Sequence, residues 1–321
     1  MTARNIYITK VLAAFGLALL ISFLMVLSAT AKSNATNTNI DDPYRIEEFN
    51  ISTPGELEVK TSGGHITVEA SETNTVRVEM YVQRNGRDLS PSDTDLDDFD
   101  IDISQSGDKV TAIAERRGKV WNWGRNNISV SFVVYTPREM KTDLRTSGGH
   151  IAASGLDGDQ RLSTSGGHLE MTTLKGTVDA RTSGGHIEIR DFSGQMDART
   201  SGGHIEAENA EGRINLRTSG GHISLRDLSG SVEASTSGGS IEADLNSIED
   251  FVDLRTSGGH INISVPDGIA LNLDLKGNRV STKLSNFTGE VERDEVHGSI
   301  NGGGPKLTAR TSGGSVRITY N

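Results

Sequence analysis

Val178 to Gln195 reads VDARTSGGHIEIRDFSGQ, and its tetrapeptide TSGG starts at Thr61, Thr146, Thr164, Thr182, Thr200, Thr218, Thr236, Thr256 and Thr311. From Thr146 to Thr236 the interval is 18 residues every time, then 20, then 55, with 85 at the start. Nine copies with this spacing define a repeat architecture. Inside the unit, Val178, Ala180 and Thr182 alternate with Asp179, Arg181 and Ser183, the two-residue period of a strand with one buried face. After Gly184 and Gly185 the alternation resumes, with Ile187 and Ile189 inward and His186, Glu188 and Arg190 outward, before Phe192 turns in and Gly194 ends the unit. Eighteen residues are too few for a helix plus two strands. The pattern therefore predicts an all-β chain, a parallel β-solenoid (β-helix) of about 18 residues per turn. Parallel crossovers are right-handed in about 98% of cases, which favours a right-handed coil, although three hexapeptides of a left-handed β-helix would also fill 18 residues.

Equivalent positions keep their character from copy to copy. Val178, Met196, Ile214, Val232 and Val252 open the first strand, and Leu156, Leu174, Phe192, Ala210 and Leu228 hold the last inward site. Of 37 glycines, 18 lie in TSGG and Gly158, Gly176, Gly194, Gly212 and Gly230 mark a second corner, so glycine here punctuates a coil. At one strand spacing per turn, about 15 turns would give a rod of about 70 Å. Around the repeat, residues 50–140 read as an irregular N-terminal part and cap, 141–264 as the regular TSGGH solenoid, and 265–321 as C-terminal turns. In the last region VPDGIALNLDLKG aligns on TPREMKTDLRTSG, with Gly277 on Gly148. The final rung, LTARTSGGSVRITYN, is expected to present an open edge and with it end-to-end self-association.

Upstream, residues 1–31 carry Arg4, Lys10, the apolar run VLAAFGLALLISFLMVL and an A-x-A pattern at Ala29 and Ala31, the pattern of a signal peptide or an uncleaved membrane anchor; 32–49 reads as a linker. The body is thus expected outside the cytoplasm, in the periplasm, on the surface or secreted, with a membrane contact only through that anchor. Of the 321 residues none is cysteine, which excludes disulfides, thiol catalysis and thiolate metal sites. Beyond residue 31 there are 30 Lys+Arg against 43 Asp+Glu, a net of −13 that disfavours nucleic acid.

Taken together, the leading segment, the proline-led strand YTPREMKTDLRTSGGHI and the run of TSGG units resemble the bacterial putative-adhesin family, over roughly residues 50–321. The resemblance implies an exported or anchored β-solenoid of undefined biochemistry, and it brings no catalytic residue and no cofactor. Bactofilins share the repeat style, but they are cytoplasmic and the leading segment argues against them.

Seven of the eight histidines follow Gly-Gly, and His150, His168, His186, His204 and His222 should form an outward column about 4.8 Å apart. Such a column could bridge a metal ion between rungs, which makes a metal-binding surface the alternative function. Ser240 and Ser315 take the same slot, so duplication carrying surface residues along explains the histidines as well, and no metal site is assigned. Arg181, Arg199 and Arg217 form a second column beside Asp179, Asp197 and Glu233, a candidate for an anionic glycan or headgroup or simply a solvated face. Trp121 and Trp123, in VWNWG, could stack on a sugar or staple a hairpin. DTDLDDFDIDIS from Asp93 fails the EF-hand pattern, with Asp98 where glycine is needed and Ser104 where the bidentate glutamate is needed. A polysaccharide-active enzyme is a further alternative, but a ladder of repeated acids singles out no catalytic pair. The reading is a non-enzymatic adhesin or envelope scaffold whose partner is an envelope glycan or protein.

Overall fold

The computed structural model describes residues 42–94, 96–117 and 127–321. The leading segment, most of the linker, and Trp121 and Trp123 lie outside the described residues.

The all-β reading and the 18-residue coil are both present. Strands Leu169–Arg181, Ile187–Arg199, Ile205–Arg217 and Ile223–Thr236 stack in parallel, with Leu169 on Ile187, Ile187 on Ile205 and Ile205 on Ile223. Each strand bends midway at Thr173, Asp191, Asn209 or Asp227, whose φ lies between 52° and 55°. Asn and Asp visit this left-handed region with least strain, whereas the β-branched Thr173 is the unusual member. The inward residues are those the alternation names: Val178, Ala180, Ile187, Ile189 and Phe192 are all buried, as are their equivalents in each copy. Like sits on like along the core, and each fully buried Val, Ile or Leu contributes about 1.5–3 kcal/mol of transfer free energy.

The TSGG corner has two structural members. Thr182 is buried and its Oγ1 donates to Gly167 O at 2.9 Å while accepting from Gly185 N at 3.2 Å, so one hydroxyl joins its own corner to the one before. Gly185 has no space for a side chain, since a Cβ would stand 1.7 Å from Gly167 O. The same two bonds recur at Thr146, Thr164, Thr200, Thr218, Thr236, Thr256 and Thr311, so all nine corners form one column, with Thr146 Oγ1 on Gly64 O and Thr311 Oγ1 on Gly259 O.

That continuity explains the odd intervals of 85 and 55. They are excursions from an unbroken column. After Ile66–Ser71 the chain builds an outer turn, in which Lys109–Arg116 lies parallel to Gly55–Thr61 and Ile128–Pro137 to Ile66–Ser71, and then returns to the inner side at Met140–Thr146. Antiparallel strands cover this end: Phe99–Ser106 on Lys109–Arg116, Thr75–Arg84 on Ile128–Pro137, and Arg45–Asn50 on Thr75–Arg84. In the acidic stretch Phe99 and Ile103 are buried, Asp93 accepts from Ser90 N and Oγ, and Asp100 pairs with Arg117, so these carboxylates already have partners.

The other end corrects two expectations. Lys306–Thr311 is inserted between Ile241–Thr256 and Leu271–Lys276, and Ser315–Tyr320 between Ile261–Val265 and Arg279–Ser281, so the last rung in sequence is not an open edge. Covering strands Glu295–Ile300 and Phe287–Val291 lie antiparallel beyond Leu271–Lys276. The alignment of Gly277 on Gly148 is also displaced by two residues. Lys276 pairs with Arg310, which places Gly277 beside Thr311, the first residue of TSGG, instead of on a glycine. A slip of two keeps every side chain on its face, so alternation alone cannot detect it. Finally, nine corners with one outer turn at each end make a shorter stack than 15 turns, because the cover strands use the remaining chain.

Candidate functional site

The outer surface of the corner carries, in chain order, the columns Arg181, Ser183, Gly184, His186 and Glu188 with their equivalents. The histidines do stack. Ring centroids are 5.0 Å apart for His65 and His150, 4.7 Å for His150 and His168, 4.7 Å for His168 and His186, 3.5 Å for His186 and His204, and 4.8 Å for His204 and His222. Stacking is accompanied by a ladder of hydrogen bonds. The backbone N–H of His150 donates to His65 Nδ1 at 3.0 Å, that of His168 to His150 Nδ1 at 2.9 Å, that of His186 to His168 Nδ1 at 2.8 Å, and that of His204 to His186 Nδ1 at 3.0 Å.

Each ring in this ladder is therefore an acceptor for a backbone donor, which fixes the neutral tautomer with its proton on Nε2. Serine does the same work where it replaces histidine. Ser131 Oγ accepts from His65 N at 3.0 Å and Ser240 Oγ from His260 N at 3.1 Å, while His260 Nδ1 in turn accepts from Ser315 N at 3.0 Å. What the slot requires is a short acceptor. Burial, and then the neighbouring imidazoles, hold His150 and His186 below the ordinary histidine value, in keeping with rings that stay neutral.

The arginine column is neutralised in place. Arg181 pairs with Asp179 at 2.8 Å, Arg199 with Asp197 at 2.6 Å, and Arg217 with Glu233 of the next turn at 2.7 Å. Arg145 and Arg255 repeat the pairing with Asp143 and Asp253, at 2.7 Å and 2.6 Å. A shallow groove lined by Arg181, Arg199, Arg217 and the corner serines runs along this column, and a second lies between the histidines and Glu170, Glu188 and Glu206.

The family model described as Toastrack DUF4097 matches residues 55–319, which span the coil and its covering strands except Arg45–Asn50. The chain belongs to the Toastrack DUF4097 family. Two solved structures are similar to this Toastrack domain. A putative cell adhesion protein from Clostridium sporogenes ATCC 15579 is 12% identical, with 86% of this chain and 99% of that chain covered and a TM-score of 0.26. A putative adhesin from Bacteroides fragilis NCTC 9343 is 13% identical, with 86% and 96% covered and a TM-score of 0.39. No curated protein matches the chain.

In the Toastrack coil the candidate histidines and arginines thus come together in two parallel columns on either side of the Ser-Gly strip, as the repeat implied. Sequence reasoning missed the Nδ1 ladder. Its signal was the interchange of histidine with serine at 240 and 315, two residue types that share an acceptor close to the backbone. Also missed was a difference among the three glutamates. Glu188 and Glu170 both face Arg190, the latter at 3.8 Å, whereas the equivalent of Arg190 in the next turn is Glu208, and Glu206 faces histidines instead. Among the described residues no three His, Asp or Glu side chains form a ready-made metal site.

Proposed function

We propose that this Toastrack domain acts without chemistry, as an exported adhesin or envelope scaffold that presents repeating columns to a repeating partner, an envelope glycan or protein. The observation that carries the reading is the register of the exposed face. Arg181, Arg199 and Arg217 and the histidines beside them recur at one strand spacing along an uninterrupted corner, so these three successive copies offer the same contacts to an extended ligand, with serine in the arginine slot at 163 and 235 on either side. Because each arginine already holds a carboxylate, recognition here is by patterned hydrogen bonding and weak multivalent contact more than by net charge. Export rests on the expected signal or anchor in residues 1–31.

Two measurements test this. The tag-free chain, used as bait in envelope extract and on a glycan array, is expected to retain an extended polymer or surface protein. Arg181→Ala, Arg199→Ala and Arg217→Ala together should weaken that capture more than any one of them. Release of new sugar ends from an envelope polysaccharide would identify an enzyme and overturn the proposal.

A further inference from the structure

We propose that His204, Glu206 and His222 together bind a single divalent transition ion of the zinc class. This does not rest on the adhesive reading, and either can fail alone.

The histidine column as a whole is badly arranged for metal. A ring coordinates a metal through an unprotonated nitrogen. At His65, His150, His168 and His186 the Nδ1 atom already accepts a backbone N–H, which leaves the proton on Nε2. Freeing Nε2 there would move the proton to Nδ1 and set two N–H groups against each other.

The ladder stops at His204 and His222. Among the described residues neither Nδ1 accepts a rung bond, so each ring is free to carry its proton on Nδ1 and offer Nε2. Both do point Nε2 at one atom. His204 Nε2 lies 3.8 Å and His222 Nε2 3.9 Å from Glu206 Oε1. The ring of His204 is also turned 28° from that of His186, against 4° between His168 and His186.

Glu206 is the carboxylate free for this role. In the two preceding turns Arg190 faces Glu188 and Glu170, but the slot after Glu206 holds Glu208, and the turn beyond has Ser224 where a fourth glutamate would stand. Neighbouring ligands on a tetrahedral zinc, with bonds near 2.1 Å, lie about 3.4 Å apart. The two contacts with Glu206 therefore need to close by about 0.5 Å, and the two rings, stacked with centroids 4.8 Å apart and 9° between their planes, must tilt towards each other as well, movements that partly exposed side chains make by turning about χ1 and χ2. Two imidazoles and a carboxylate suit zinc and its neighbours better than calcium or magnesium, and a fourth position remains open to water.

The experiment loads the full, tag-free chain with zinc by equilibrium dialysis near neutral pH and counts bound metal by elemental analysis, with cobalt absorption reporting the geometry. Serine is native to the histidine slot, so H222S and H204S keep the fold, and E206Q is isosteric. The expected result is one ion per chain, weakened by more than about tenfold in H204S, E206Q and H222S and unchanged in E188Q and H168S. No uptake, uptake indifferent to E206Q, or several ions lost equally with any histidine would each overturn the proposal.

Discussion

Alanine at the two glycines of one corner should have opposite effects. In Gly203→Ala the new Cβ would stand 1.9 Å from Gly185 O, 2.5 Å from Gly185 C and 2.9 Å from His186 N, all backbone atoms that no rotamer can move. Relieving these contacts requires the two turns to part by more than about 1 Å. Four bonds then stretch beyond hydrogen-bonding range: Thr200 Oγ1 to Gly185 O at 2.8 Å, His204 N to His186 Nδ1 at 3.0 Å, Ile187 N to His204 O at 3.0 Å, and Gly202 N to Ser183 O at 2.9 Å. At about 1 kcal/mol each, the loss is about 4 kcal/mol. Gly202→Ala meets nothing nearer than Ser183 O at 3.6 Å and needs no positive φ, so it should stabilise by about 0.4–1 kcal/mol through the unfolded chain. Urea denaturation measures the pair. Amide hydrogen exchange of the flanking turns should show G203A opening locally, because a stacked coil is held by nearest-neighbour contacts. Equal losses in G202A and G203A, or a loss below about 1 kcal/mol in G203A, would refute the reasoning.

Three further outcomes follow from the same geometry. Thr200→Val keeps the shape but removes the hydroxyl that joins Gly185 O and Gly203 N, and should cost about 1–3 kcal/mol in urea melts, while Thr200→Ser should cost less. His150 and His186 have folded pKa values below 6.5, so the folded state binds fewer protons than the unfolded one. Their contribution is present above about pH 6.5 and is lost as pH falls through the depressed values; the urea midpoint should drop on acidification, and less so in H150S/H186S. Glu58, held at about 2 by hydrogen bonds from Lys109 and Lys60, should titrate far below an ordinary glutamate by NMR, and its stabilising effect, present above pH 4.5, should fade only towards pH 2.

Much of this molecule is legible in 18 letters. Alternation places Val178, Ala180, Ile187, Ile189 and Phe192 inward without ambiguity, because a parallel coil repeats one environment and each copy restates it. The ends are not legible in the same way. Where Lys109–Arg116 and Lys306–Thr311 pair is settled by which turns remain uncovered, a tertiary choice that local pattern does not encode. The site divides similarly. Columns follow from the period alone, but the role of each histidine depends on the direction of Nδ1, and the difference between Glu188 and Glu206 depends on residues one turn away, at Arg190 and Glu208.

The inserted last rung also imposes an order on assembly. Leu271–Lys276 and Arg279–Ser281 precede Lys306–Tyr320 in the chain, yet they rest on it, and Asn321 closes the arrangement through bonds to Val265 and Asp267. A chain emerging from its N-terminal side can stack turn upon turn as far as Val265. Residues 266–305, apolar Leu271, Leu273 and Leu275 included, gain their native parallel neighbours only once Lys306–Tyr320 has been made. Lys306–Thr311 and Ser315–Tyr320 thus join the turns made before them to strands that also precede them in the chain, and local pairing alone cannot complete this end.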